Sequence, residues 1–305
     1  MRLPEPLPPA LLGREFTHAQ ASALGVPTHR LRAGDIVRIA RGIYRHSGTP
    51  LSLESRVRVL CTSLPGSFAC HHTSGVLNKL LLPRHIERAP EVHLGRPPHR
   101  PAPRRPLVVG HRLALGEGEL IERDGVRLTT PSRTWLDLGP YMDWRDHVAL
   151  GDQIIRIPRP AFEGRTRPWD TVDGLRRMLE AHPNLPGIAA ARKTLPYLRV
   201  GSDSARETKF RLAITGAGLP EPELQVLLDP DNPYSYSADL GYRARRLALQ
   251  YEGSAHREWP RKLRDNKRDA AFDDARWRTL RFDDSDLANG FARAVERVRR
   301  FLADG

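Results

Sequence analysis

The chain has 305 residues, of which 39% are hydrophobic and 28% are charged, and this composition excludes a disordered or collagen-like protein. Its 49 lysine and arginine residues against 36 aspartate and glutamate residues give a formal net charge of +13, which favours a polyanionic partner such as DNA. Two cysteines are too few for a secreted disulfide scaffold, and no apolar run reaches the ~20 residues of a membrane span. We therefore expect a cytoplasmic protein without a membrane segment.

The first fifty residues show the pattern of a winged helix-turn-helix domain. Thr17, with a glutamine three residues later, predicts a capping box at the start of a helix that Gly25 ends. Thr28 is predicted to cap a second helix, and two short apolar segments, 36–39 and 43–44, predict a β-hairpin or wing. In such a domain the second helix enters the major groove of DNA.

Arginines dominate this N-terminal segment. On the winged-helix interpretation, the residues expected to contact DNA are Thr28, Arg30, Arg32, Arg38 and Arg41. The alternative interpretation is a small helical cap whose arginines are solvated.

Residues 51–157 are predicted to form a mixed α/β middle domain. Helical spacing is present near 53–64 and 70–82, and strands are predicted at 91–94, 107–109 and 127–129. The loop between the first two strands contains four arginines and no acidic residue, namely Arg96, Arg100, Arg104 and Arg105. This loop either follows a phosphate backbone or is a solvated connector stiffened by proline.

Cys70, His71 and His72 raise the question of a metal site in the middle domain. Adjacent side chains on a helix point about 100° apart, and the sequence shows no second cluster of ligands at zinc spacing. A structural role for these residues is therefore the favoured interpretation.

Residues 158–200 are predicted to be a linker with two helices, and residues 201–305 a separate C-terminal domain. Ser204 and Glu207 predict a capping box at the start of a helix. Glu207 is either that cap alone or a carboxylate on the packed side of the helix, because it shares a face with Phe210.

Three strands are predicted after this helix, at 224–228, 237–240 and 247–252. Because side chains alternate along a strand, Gln250 and Glu252 share one face, and Asp239 on the neighbouring strand can reach the same place. Such oxygen ligands suit Mg²⁺ or Mn²⁺, so Asp239, Gln250 and Glu252 are the predicted metal ligands, with Glu207 near them. A glycine after Glu252 permits a sharp turn that places His256 beside the carboxylates. The alternative is a solvated strand edge with scattered acids.

A helix at about 258–274, a strand at 277–282 and a terminal helix complete the predicted C-terminal domain. The fold class predicted for the chain is α/β (α+β). It comprises a winged helix-turn-helix, a mixed α/β middle region and a C-terminal α/β domain.

The C-terminal third of the chain resembles a known family. Its characteristic features are Glu207, Ala238-Asp239-Leu240, Leu249-Gln250-Tyr251-Glu252-Gly253, His256, and Arg264-Asp265 with Arg268. With these features, the segment 204–302 resembles the domain of unknown function related to very-short-patch-repair endonucleases, a group within the PD-(D/E)XK nuclease superfamily.

Two further segments also resemble known proteins. Residues 17–44, and above all the run Arg41-Gly42-Ile43-Tyr44, resemble the winged-helix N-terminal domain of antitoxins from abortive-infection toxin–antitoxin systems. Residues 129–138 are similar to a segment of multidomain actinobacterial proteins that join these two modules.

The C-terminal resemblance implies a restriction-endonuclease-like domain that hydrolyses phosphodiester bonds. By this resemblance Asp239 is a metal ligand, Gln250 and Glu252 fill the paired positions of the second motif, and Glu207 is the helix carboxylate. We further expect His256 to assist proton transfer. The sequence departs from the family pattern in two ways. The family pairs a glutamate with an aspartate before the glycine, where this chain has Gln250 and Glu252, and the lysine of the superfamily motif is absent here.

The sequence therefore supports two functions. The first is a DNA-binding protein that acts as an endonuclease dependent on Mg²⁺ or Mn²⁺. The second is an antitoxin-type transcriptional regulator with a degenerate, non-catalytic nuclease-like domain. Both functions require DNA as a partner and neither requires a membrane, while a toxin partner or a homodimer is compatible with either.

Overall fold

The computed structural model describes residues 4–49, 52–159, 164–232, 234–252 and 259–304, with residue 40 and residues 259–265 described by their backbone alone. The chain divides into two compact units, Met1–Leu138 and Gly139–Gly305. This division lies inside the segment predicted as the middle domain. The mixed α/β fold class is confirmed. Among the described residues, no helix combines the length and apolar character that a membrane crossing requires.

A small three-stranded antiparallel sheet and a short helix begin unit 1. The strands have the order β1-β3-β2, and the elements are β1 (Glu15–Thr17), α1 (His18–Ala23), β2 (Ile36–Ala40) and β3 (Ile43–His46). The Thr17 hydroxyl accepts from Gln20 N, and the Gln20 side chain accepts from Thr17 N, which confirms the predicted capping box. Gly25, at φ +76°, turns the chain after the helix. The apolar core of this part includes Leu11 and Phe16.

The second helix of the predicted helix-turn-helix is a 3₁₀ segment, Thr28–Arg32. Its N-cap is Pro27, and no side chain caps it, so the prediction that Thr28 is the cap is wrong. The segment stays short because Ala33 is already extended (φ −68°, ψ 154°) and leads directly into β2.

A five-stranded sheet forms the second part of unit 1, with the order β6-β5-β4-β8-β7. Its strands are β4 (Phe68–Ala69), β5 (Val92–Arg96), β6 (Val108–Arg112), β7 (Leu120–Arg123) and β8 (Val126–Thr129). The helices of this part are α2 (Leu53–Ser63), α3 (His71–Leu77), α4 (Arg84–Glu87) and α5 (Pro131–Leu138). Val57 and Leu60 of α2 pack with Leu94 and Leu128 of the sheet in one apolar cluster.

The arginine-rich segment at the end of β5 and in the loop to β6 makes hydrogen bonds to neighbouring parts of unit 1. Arg96 donates to Ser67 Oγ at 3.0 Å, Arg100 donates to Pro65 O at 3.3 Å, and Arg105 donates to Arg41 O at 3.0 Å. Arg96 at the end of β5, and Arg100 and Arg105 in the loop, therefore hold this segment against neighbouring parts of unit 1.

The described residues in the first part of unit 2 form the α-helices α6 (Trp144–Ile155), α7 (Val172–Ala181) and α8 (Ile188–Thr194). Leu175 and Leu179 of α7 and Ala191 of α8 are buried. The later part of the segment predicted as a linker is thus a packed part of unit 2.

The remainder of unit 2 is built around a four-stranded sheet with the order β12-β11-β10-β9. Its elements are α9 (Ala205–Gly216), β9 (Glu223–Leu227), β10 (Ser237–Tyr242), β11 (Leu247–Glu252), α10 (Trp259–Asp274), β12 (Arg278–Asp283), α11 (Asp284–Ala288) and α12 (Ala292–Ala303). Strands β9, β10 and β11 form the predicted antiparallel meander, and β12 lies parallel to β11. A parallel neighbour requires a crossover connection, which here contains α10.

One face of this sheet packs against α9 and α12. Phe210 of α9 lies 4.3 Å from Phe282 of β12 and 5.0 Å from Phe291, measured between ring centroids. Val295 and Val298 of α12 complete the same apolar cluster. This packing fixes α9, and with it Glu207, against the sheet.

A buried ion-pair network joins α9 to α6. Arg211 is 1% exposed and contacts Asp152 Oδ2 at 3.0 Å, Glu221 Oε1 at 2.9 Å and Tyr197 O at 2.8 Å. Asp152 also accepts from Thr208 Oγ1 at 2.8 Å. Arg211 and Asp152 therefore form an ion pair inside the core of the unit, and Glu221 contacts Arg211 from the surface.

Candidate functional site

The predicted site lies where β10 and β11 run side by side. Leu240 pairs with Leu249, so the next level of the two strands places Asp239 opposite Gln250. Tyr251 N donates to Asp239 Oδ2 at 2.8 Å. The sequence prediction that Asp239 and Gln250 come together at one level of the sheet agrees with this arrangement.

Gln250 is one of the most deeply buried polar residues in this sheet, at 2% exposed. Its Nε2 donates to Ser237 O at 3.4 Å. The amide therefore bridges β11 to β10, and its oxygen is the atom that can serve as a metal ligand.

Glu207 fulfils both roles that the sequence left open. Its carboxylate accepts from Asp203 N at 2.9 Å and from Ser204 Oγ at 2.8 Å, so it closes the start of α9. The side chain is also buried, at 7% exposed. Burial raises the pKa of Glu207, and the neighbouring Asp239 carboxylate raises it further.

Burial also raises the pKa of Asp239. The hydrogen bond from Tyr251 N and the positive charges of Arg268 and Arg159 oppose this increase. Buried Glu207 and half-buried Asp239 thus both hold a proton more readily than free carboxyl groups do, Glu207 more so than Asp239.

Glu252 is placed differently from its prediction as a metal ligand. Its Oε1 lies 3.1 Å from Arg281 Nε, and Arg281 also contacts Asp269. The parallel pairing of β11 with β12 brings Arg281 next to this end of β11, which explains the ion pair. Within the described residues, Glu207, Asp239 and Glu252 do not place three ligand oxygens within 4.8 Å of one another.

His256 lies outside the described residues, so its predicted role in proton transfer stays a prediction.

Four residues near the site were not predicted from the sequence, namely Arg156, Arg159, Asp203 and Gln225. Arg159 contacts Asp203 and donates to Gln225 Oε1 at 3.0 Å, while Arg156 contacts Asp203 at 3.2 Å. Gln225 of β9 has a φ of +48°, and the strand register places it opposite Asp239. The only sequence signal was the cationic, proline-containing segment 156–159, which was assigned to the end of the middle domain and the linker.

The geometry accommodates a hydrated divalent cation better than an all-protein metal cage. Mg²⁺ retains several waters and needs only one or two carboxylates beside the phosphates of a substrate. Glu207 and Asp239 are the carboxylates that would hold such a cation, and its charge would favour their ionised forms. Gln250 adds an amide oxygen next to Asp239.

The residues predicted to contact DNA in unit 1 divide into two groups. Thr28, Arg32, Arg38 and Arg41 have exposed side chains. Arg30 does not belong with them, because it is 6% exposed and both of its terminal nitrogens contact Asp35 at 2.7 Å. Its Nε also donates to Glu5 O. Arg30 therefore stabilises the fold of unit 1, and its assignment as a DNA contact is corrected.

Comparison with known proteins gives relatives but no function. No protein-family model matches the chain. It is 26% identical over 276 residues to "Uncharacterized protein MT2308" and to "Uncharacterized protein Rv2248", from two strains of Mycobacterium tuberculosis. Each alignment covers 90% of this chain and 94% of the relative, so the similarity extends over both units.

Proposed function

We propose that this chain is a DNA-binding protein of the cytoplasm whose C-terminal unit is an endonuclease dependent on Mg²⁺ or Mn²⁺. The observation that carries the proposal is the pair of neighbouring carboxylates, buried Glu207 and half-buried Asp239, beside the buried amide of Gln250. A cation bound there would supply a Lewis acid and an activated water for phosphodiester hydrolysis.

The residues of the chain have separate roles in this proposal. Asp239 and Glu207 bind the cation, and the hydrogen bond from Tyr251 N fixes the orientation of the Asp239 carboxylate. Gln250 contributes its amide oxygen and, through Ser237 O, joins the two strands that carry the site. Arg159 and Arg268 place positive charge near Asp239, where a DNA phosphate would approach.

The ion pair of Glu252 favours a second, non-catalytic function. Its ion pair with Arg281 occupies a carboxylate that the family resemblance assigns to the catalytic motif, and the neighbouring position is the neutral Gln250. An antitoxin-type regulator that binds DNA through unit 1 and has a degenerate nuclease-like unit 2 is therefore the alternative.

A nicking assay separates the two functions. We expect the purified chain to convert supercoiled plasmid to the nicked form in Mg²⁺ or Mn²⁺, and the isosteric Asp239→Asn variant to lose at least ~100-fold in rate, because one of the two charged ligands is removed. Asp229→Asn is the matched control, since Asp229 is an exposed turn residue of the same unit. If the wild-type chain binds plasmid but leaves it intact in both metals, the regulator is the correct function.

DNA binding by unit 1 is tested through its salt dependence. Replacing Arg32 and Arg41 together by alanine should weaken binding and reduce the slope of log K against log salt by about 0.9 for each phosphate that the variant no longer neutralises. The matched control removes two exposed arginines of α7, Arg176 and Arg177. Mobility-shift titrations at several salt concentrations measure the slope. An equal change in both double variants would mean that overall charge, and not the winged segment, determines binding.

A further inference from the structure

Unit 1 contains a cluster of imidazole rings around a buried thiol. The rings of His71 and His111 stack with centroids 3.9 Å apart, and those of His72 and His93 are 4.1 Å apart. His93 Nδ1 and His111 Nε2 are separated by 3.0 Å. One potential ligand atom from each of Cys70, His71 and His111 lies within 4.8 Å of the other two, a group that is independent of the nuclease-like site in unit 2.

The backbone explains how neighbours in sequence meet in this cluster. Cys70 is not on a helix, as the sequence pattern had suggested, but is the extended N-cap of α3 (φ −148°, ψ 177°). His71 has a φ of +47°, a left-handed conformation that is uncommon for a residue with a side chain. Such local strain is retained where the surroundings fix it and is concentrated at functional sites. Cys70 and His71 are therefore not held to the angle of about 100° that separates adjacent side chains on a helix.

Two parallel strands supply the two imidazoles that the sequence did not connect with Cys70 and His71. His93 of β5 pairs with Val109 of β6, and His111 follows Val109 by two residues, so both imidazoles lie on the same face of the sheet. Cys70 N donates to His93 O at 3.1 Å, and Thr73 Oγ1 accepts from His93 N at 2.8 Å. These bonds fix the start of α3 against β5.

The chemistry of the group suits a borderline-soft cation. Thiolate and imidazole are the ligands that Zn²⁺ prefers. In tetrahedral coordination the S and N atoms are about 3.3–3.6 Å apart, so the ligand atoms, which lie within 4.8 Å of one another, would have to move only slightly closer. Cys70 is completely buried.

A buried network of ion pairs lies beside the cluster, and its net negative charge is one that a metal cation would balance. Arg133, which is 0% exposed, contacts Glu119 Oε2 at 2.8 Å and Asp137 Oδ1 at 3.0 Å. The charges of Arg133 and Asp137 both act on the Cys70 thiol. One guanidinium and two carboxylates give a net charge of −1, and a Cys70 thiolate adds another −1. A divalent cation in the group would neutralise the whole buried assembly.

We propose that Cys70, His71 and His111 bind a Zn²⁺ ion in unit 1. His93 is a positioning residue, because its hydrogen bond to His111 orients that ring, as partners of metal-bound histidines do. The ion links the start of α3 to β6, two elements more than thirty residues apart in sequence.

Metal analysis and cobalt spectroscopy of the full chain test the proposal. We expect about one zinc ion per chain in protein purified without an affinity tag. After removal of zinc under reducing conditions, added Co²⁺ should give the visible bands of a tetrahedral site together with a thiolate-to-cobalt charge-transfer band. Cys70→Ser should abolish that band, and His111→Ala should weaken Co²⁺ binding at least ~100-fold. His93→Ala should keep the band while weakening the affinity by roughly 10–100-fold, as expected of a positioning residue.

Matched controls are available in the same unit. Cys61→Ser removes the other cysteine, which lies on α2, and His99→Ala removes an exposed histidine of the loop after β5. Both controls should bind Co²⁺ with the wild-type spectrum. A folded, reduced wild-type chain that binds neither ion, or that binds Co²⁺ without a thiolate band, would overturn the proposal. The wild-type spectrum therefore decides the matter even if Cys70→Ser does not fold.

Discussion

Replacing Arg211 by methionine is expected to destabilise unit 2 by about 3–5 kcal/mol, the largest effect of a single substitution that we anticipate. Methionine fills a similar volume but leaves the buried Asp152 carboxylate without its guanidinium partner, and such uncompensated charges have costs of this size. Urea unfolding measures the loss, provided that the slope of free energy against denaturant is unchanged.

The pH dependence of that loss identifies its cause. Burial already raises the pKa of Asp152 to about 6 in the presence of Arg211, and removal of Arg211 must raise this pKa further. The loss should therefore be greatest above that pKa, where Asp152 is charged, and should shrink as the pH falls and the carboxyl becomes neutral. Arg176→Met is the control, because Arg176 pairs with Asp173 on the exposed face of α7, and surface pairs contribute about 0–1 kcal/mol. If Arg211→Met had the same free energy of unfolding as the wild type at pH 8, this prediction would be contradicted.

Local patterns predicted the C-terminal sheet closely. The alternation in 247–252 predicted β11 with its observed limits, and the turn-forming residues after Leu228 correctly separated β9 from β10. The capping box at Thr17 and the N-cap at Ser204 also depend on contacts over three residues, and both helices begin where the sequence predicted. At Ser204 the reciprocal bond of a capping box is replaced, because Glu207 accepts from Asp203 N and Ser204 Oγ. Such features are readable because the interacting groups are close in sequence.

Features that depend on long-range pairing were not predictable in the same way. Arg159 and Asp203 are 44 residues apart, and their contact results from the folding of unit 2. His93 and His111 share a face only because of the register between two parallel strands, which the loop joining them does not determine. Arg30 was misassigned because a basic segment favours DNA contacts, whereas its bond to Asp35 buries the side chain.

The acidic pair of the candidate site should make the stability of unit 2 decrease with rising pH in a metal-free buffer. Glu207 and Asp239 have pKa values raised above their ordinary values of 4.5 and 3.8, so the folded state binds more protons than the unfolded state in the interval above those values. Stability is then lost as the pH rises through the interval towards the raised values. Asp239→Asn keeps an oxygen to accept from Tyr251 N and removes the repulsion, so it should stabilise unit 2 at pH 8 by on the order of 1–2 kcal/mol, equivalent to about one pKa unit.

The same variant links the titration of the pair to metal binding. Mn²⁺ binds the deprotonated carboxylates, so it should raise the melting temperature of the wild-type chain more at pH 8 than at pH 5, since protons compete for the pair at the lower pH. At ~100 times the dissociation constant the stabilisation would be about 2.7 kcal/mol. Asp239→Asn should lose this response while being the more stable protein without metal, and Asp229→Asn should behave as the wild type. Loss of stability in Asp239→Asn at pH 8, or an undiminished response to Mn²⁺, would show that the two carboxylates do not form the cation site, because repulsion and cation binding both require the same pair of charges.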